Sequence, residues 1–127
     1  MSLPAEIFAY YSQQGPISDP GIYQGALAAA PGSLSEMIRV VQQNLLHIFW
    51  SERYGRTLSD EEKSTVTVRR MKDKLALLFS SQPIPISASQ ASAGDFLLAA
   101  KTPQQRQVGN CRDFTLMLVS LLRSQGI

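Results

Sequence analysis

The segment PGSLSEMIRVVQQNLLHIFWSERYG, residues 31–55, constrains the fold more than any other stretch of the chain. Ser33 followed three residues later by Glu36 is a capping box: the serine oxygen accepts an otherwise unpaired backbone N–H, and the glutamate returns to the N–H of the cap itself. Leu34, Met37, Ile38, Val41, Leu45, Ile48 and Phe49 then fall in one stripe at helical spacing, and Gly55 supplies a left-handed stop after Tyr54. The spacing predicts a single helix from 34 to 54, about 30 Å long at ~1.5 Å per residue. Leu46, Trp50 and Tyr54 lie off that stripe, so the helix reads as a central strut packed from two sides. Trp50, Phe49 and Tyr54 are accordingly expected to be packing residues, the alternative being a ligand-stacking platform.

The rest of the chain follows the same logic. Pro4–Gln13 is helical in pattern and ends at QGPISDPG, where Asp19 before Pro20 opens a second short helix reaching about Ala29. A second box, Ser59 with Glu62, starts another helical stretch, so Glu61 and Glu62 read as residues of a helix start. The β-branched run Thr65–Val68 interrupts it before Met71, Leu75, Leu78 and Phe79 resume a helical stripe. SSQPIPISASQASAG, residues 80–94, reads as an irregular connection, followed by one or two helical turns over Asp95–Ala100 and a loop, KTPQQRQVGN. Alternation of period two is confined to TVTV at 65–68, so little strand is expected. With 127 residues and 44% apolar content, the expectation is one domain, 1–127, mainly α and built from several helices.

Charge and cysteine usage narrow the function classes. The formal charge is +2 with scattered basic residues, and the tightest cluster, Arg69–Lys74, contains Asp73 and reads as a solvated helix face. Nucleic acid is therefore not the expected partner. The start, MSLPAEIFAYYSQQG, has neither a basic lead nor a long apolar run, so no signal peptide and no membrane span are expected, and a cytoplasmic location follows by elimination. One cysteine and one histidine make no intrachain disulfide and no metal-ligand cluster, and no cofactor is expected.

The last segment, VGNCRDFTLMLVSLLRSQGI, carries the chemistry. Phe114, Leu116, Met117, Leu118, Val119, Leu121 and Leu122 cover most of a helical circumference, which predicts a buried helix. Asn110 is a good N-cap, Asp113 places negative charge in the first turn, and Gly126 fits a C-terminal stop. Cys111 thus occupies the first helical position, where free N–H groups favour a thiolate and can hold an oxyanion. A helix start contributes only about 0.3–1 kcal/mol, so full activation of a thiol takes an adjacent imidazole. The opposing reading is a small buried hydrophobe. Ser120 lies inside the same apolar helix without a base in view.

GNCRDFTLMLVSLLRSQGI resembles the active-site segment of the transglutaminase-like superfamily, with Gly109, Cys111, Asp113, Arg123, Gly126 and Ile127 in the family's order and spacing. HIFWSERYG and the helical region before it are similar, more loosely, to the N-terminal portion of small bacterial proteins of this group. The resemblance implies a papain-like thiol site in which Cys111 attacks an amide or ester carbonyl of a protein or peptide acyl substrate and Asp113 is structural. The family's catalytic His and Asp follow the Gly-Ile pair, on a sheet, so residues 1–127 are expected to be the helical part of an α+β fold that carries the nucleophile alone and is inactive by itself. His47, the only histidine, precedes Cys111 and reads as structural. Apolar surface left exposed on the C-terminal helix is expected to drive homo-oligomerisation. The alternative is a non-enzymatic helical module that binds a protein partner, with Cys111 buried and inert.

Overall fold

The computed structural model describes residues 4–30, 32–80, 96–97 and 99–126, without the Phe8 side chain. Helix α1 spans Ala5–Ser12, and a 3-10 turn at Gly21–Tyr23 leads into α2, Gln24–Ala29. Asp19 caps this entry, its Oδ1 accepting the Gly21 N–H at 2.9 Å. Gly21 is required there: its φ is +60°, and a Cβ would lie 3.2 Å from Lys72 Cβ.

Ser33 caps α3, Leu34–Asn44, with its oxygen accepting the Glu36 N–H at 3.3 Å. The box is one-sided, because the Glu36 carboxylate takes the Ser33 hydroxyl at 2.8 Å. The single helix expected to run to Tyr54 is not formed. Instead α3 ends at Asn44, Leu45–His47 forms strand β1, and Ile48–Tyr54 winds as a 3-10 helix closed by Gly55 at φ 74°. A short apolar run such as LLHIF suits a buried strand as well as a helix, and here tertiary pairing decides. β1 pairs in parallel with β2, Gln107–Gly109, matching Leu45 to Gln107, Leu46 to Val108 and His47 to Gly109. That pairing buries Leu45 and Leu46 to 4% and 1% exposure. Asn44 fixes the helix end by donating from Nδ2 to the Val40 carbonyl at 2.7 Å and the Leu97 carbonyl at 2.6 Å.

Losing the long helix moves its stripe. Met37, Val40 and Val41 enter the core, while Leu34, Ile38 and Phe49 stay exposed. Trp50 and Tyr54 are exposed as well, so the expected double-sided packing of the strut does not occur.

The crossover between the two strands carries α4, Asp60–Ser64, and α5, Met71–Ser80. The Ser59–Glu62 box is complete in both directions, and a 3-10 turn at Thr65–Thr67 interrupts the path as the β-branched run predicts. The connection expected over 80–94 lies, from residue 81 on, outside the described residues; of the turns expected at 95–100, Phe96 and Leu97 are helical. Helix α6, Cys111–Ser124, closes the described chain and packs on α2, α3 and α5. Its Met117 and Leu121 meet Leu27, Val40 and Leu75 in one core cluster, each buried Leu contributing about 1.5–3 kcal/mol. The fold is thus mainly α with a two-stranded parallel pair among the described residues. No helix among them is long and apolar enough to cross a membrane.

Lys74 departs from the expected solvated face. It is 2% exposed on α5, and its Nζ donates to the carbonyls of Thr65 at 2.8 Å and Val108 at 3.0 Å.

Candidate functional site

Two features meet where β1, β2 and the start of α6 converge. The first is the Cys111 turn. Asn110 Oδ1 accepts the Asp113 N–H at 3.1 Å and Asp113 Oδ2 accepts the Asn110 N–H at 2.9 Å, a reciprocal capping box. Asp113 is wholly buried, and its Oδ2 lies 3.4 Å from Lys74 Nζ. Burial pulls the Lys74 ammonium below its ordinary range, and the Asp113 carboxylate opposes that shift. Gly109 is fixed by proximity, because a Cβ there would stand 3.0 Å from Asp113 Cβ. Asp113 is therefore a structural hub that locks the first turn of α6.

Cys111 itself is exposed, which overturns its reading as a buried hydrophobe. Its Sγ makes no hydrogen bond among the described residues. Its helix is buried along the Asp113, Met117, Ser120 and Leu121 face and half-buried at Phe114, Leu116 and Leu118. Ser120 is an anchor, donating to the Ser18 carbonyl at 2.7 Å.

His47 sits opposite Gly109 in the strand pair, so the fold brings the only histidine to within two residues of Cys111 in register. Its Nδ1 accepts the Phe49 N–H at 3.1 Å, which places the proton of the neutral ring on Nε2. The ring lies 5.9 Å from that of Phe114, and no bond joins it to the thiol. His47 serves as the cap of the 3-10 helix.

The second feature is an open cleft of about 850 Å³ floored by Leu45, Leu46 and Phe114 and walled by His47, Trp50, Arg53, Tyr54 and Arg106. The 3-10 helix builds it. With three residues per turn, side chains at i and i+3 eclipse, and the Arg53 guanidinium accordingly lies over the Trp50 ring, 4.3 Å from its centroid. Arg106 approaches the Tyr54 ring at 5.8 Å. Arg106 is delivered by a clasp: Arg56 donates from Nη1 to the Pro103 carbonyl at 2.8 Å and the Arg106 carbonyl at 2.7 Å, and pairs through Nη2 with Glu62. The Arg56 hydrogen bond, with the Ser59 N–H, holds the Glu62 carboxyl below its ordinary range.

Neither Arg53 nor Arg106 has a carboxylate partner among the described residues, and Arg106 Nε is buried without a hydrogen bond. No Asp or Glu among the described residues lines the cleft. A continuous helix through residue 54 conceals this arrangement. The one hint in the sequence is the spacing of Trp50 and Arg53, which becomes a stacked pair once the backbone tightens. No group of three or more metal-ligating side chains gathers among the described residues. Comparison with protein-family models, with curated proteins and with solved structures finds no match to this chain.

Proposed function

We propose that the chain is a binding module for a partner protein, working through the cleft at the β1 end of the fold. The observation that carries this reading is the cleft itself: exposed Trp50 and Tyr54, each beside an arginine, above an apolar floor. Exposed aromatic and arginine side chains in a concave setting are the residue types that dominate binding energy at protein interfaces. Panning a displayed random-peptide library on this chain and on Trp50→Ala tests it. A sequence family enriched by the parent and lost with the variant supports the reading. No enrichment, or equal enrichment by the variant, overturns it.

The exposure of Cys111 at the capped start of α6 favours a second reading, the one the transglutaminase-like resemblance implies. In it, the Cys111 thiolate attacks an acyl carbonyl, the first-turn N–H groups hold the oxyanion, and the base and its orienting acid come from outside residues 1–127. Iodoacetamide alkylation across pH discriminates. A rate profile with its midpoint well below that of a free thiol supports the nucleophile, and one matching a free thiol refutes it.

A further inference from the structure

We infer that the cleft recognises an acidic peptide, one presenting carboxylates on either side of an apolar side chain. The inference rests on the binding reading above and names the ligand chemistry. The cleft is lined by two arginines and, among the described residues, by no carboxylate, and it is the lack of an ion-pair partner for either arginine that points to an anion. Arg106 is the sharper witness: its Nη2 donates to the Lys101 carbonyl at 3.1 Å, yet its Nε is buried with no acceptor. A buried donor left without a partner costs about 1–3 kcal/mol, so the Arg106 guanidinium is not satisfied by its own chain, and no carboxylate among the described residues balances its charge.

The rings distinguish a peptide from a nucleic acid. The Arg53 guanidinium already covers the Trp50 face at 4.3 Å, so the ring orients an arginine instead of offering itself to a base. Arginine forks held on aromatic platforms match carboxylates in bidentate geometry. The floor of Leu45, Leu46 and Phe114 adds a demand that a simple anion does not meet, an apolar side chain beside the charge. Glu52, the acidic residue within the 3-10 helix, lines a separate hollow with Thr57 and Lys63 and leaves the cleft cationic.

The probes are three end-blocked, fluorescently labelled pentapeptides with a central Phe flanked on both sides by pairs of Glu, Gln or Lys, read by anisotropy and by the emission of Trp50, the only tryptophan. The Glu peptide binds saturably and at least tenfold more tightly than the Gln peptide, the Lys peptide does not bind, and added salt weakens the complex. Arg53→Gln and Arg106→Gln each weaken it by about tenfold or more. Circular dichroism reports whether Arg106→Gln folds; if it does not, the solvent-exposed Arg53→Gln decides. Equal binding of the Gln peptide, undiminished binding by Arg53→Gln, or tighter binding of an oligothymidylate overturns the inference. Gln-peptide binding as tight as that of the Glu peptide and abolished by Trp50→Ala would refute the acidic preference alone, whereas no binding by any peptide refutes the binding reading with it.

Discussion

Replacing Asp113 by Ala probes the joint on which both features rest. The substitution removes the acceptor of the Asn110 N–H at 2.9 Å and the counter-charge 3.4 Å from Lys74 Nζ. Lys74 is 2% exposed, so water does not replace the lost carboxylate. Removing one partner of a buried pair costs about 3–5 kcal/mol, and losing half of a capping box adds about 1 kcal/mol. Deprotonation of Lys74 sets the ceiling on the charge contribution: neutralising an ammonium of ordinary pKa 10.5 at pH 7 costs about 5 kcal/mol. The expected loss is about 4–6 kcal/mol, a large share of the ~5–15 kcal/mol that holds a domain of this size. Lys74→Met loses about 3 kcal/mol through the stranded carboxylate and the Thr65 and Val108 carbonyls. The double variant leaves no buried charge and costs at least about 2 kcal/mol less than the sum of the two. Urea unfolding followed by circular dichroism measures all three. Additivity within about 0.5 kcal/mol, or an Asp113→Ala loss below about 1 kcal/mol, would refute the reasoning.

Gly109→Ala forces Asp113 back from a 3.0 Å approach and is expected to cost about 1–3 kcal/mol in the same unfolding measurement. Arg56→Ala releases the Pro103 and Arg106 carbonyls and the Glu62 carboxylate; it should lower stability by about 2–3 kcal/mol and weaken Glu-peptide binding, because Arg106 is no longer held at the cleft. Lys101, 7% exposed, has its pKa pushed down to about 8 by burial and, secondarily, by Arg106. Between that value and the ordinary 10.5 the unfolded chain binds a proton that the fold does not, so stability relative to Lys101→Met should rise with pH across this window and lie flat below it. Paired unfolding curves at stepwise pH check the sign, and a difference that falls with rising pH contradicts it.

The parts of the fold legible in the sequence are those governed by local chemistry. Ser59 with Glu62, Asn110 ahead of Asp113, and the left-handed stop at Gly55 all satisfy backbone groups within a few residues, so their spacing carries the information. What the sequence concealed depends on partners far along the chain. Nothing between 34 and 54 announces that Leu45–His47 has Gln107–Gly109 to pair with, or that Leu97 offers a carbonyl to Asn44. Lys74 looked solvated because the groups that allow its burial, Thr65, Val108 and Asp113, come from three other segments. The site divided the same way. Cys111 was placed at the first position of its helix by Asn110 and Asp113, while its exposure and the arginine-lined cleft followed only from the tertiary arrangement.

Nitrogen-edited NMR of the chain titrated with the Glu-flanked Phe peptide tests the central claim most directly, because it reports on the groups that build the cleft. The Nε–H signals of Arg53 and Arg106 and the indole N–H of Trp50 are expected to move together and saturate at one peptide per chain, with amide shifts centred on β1 and the 3-10 helix and none along α1. Unmoved arginine and indole signals, or shifts centred away from residues 45–54 and 106, would contradict it.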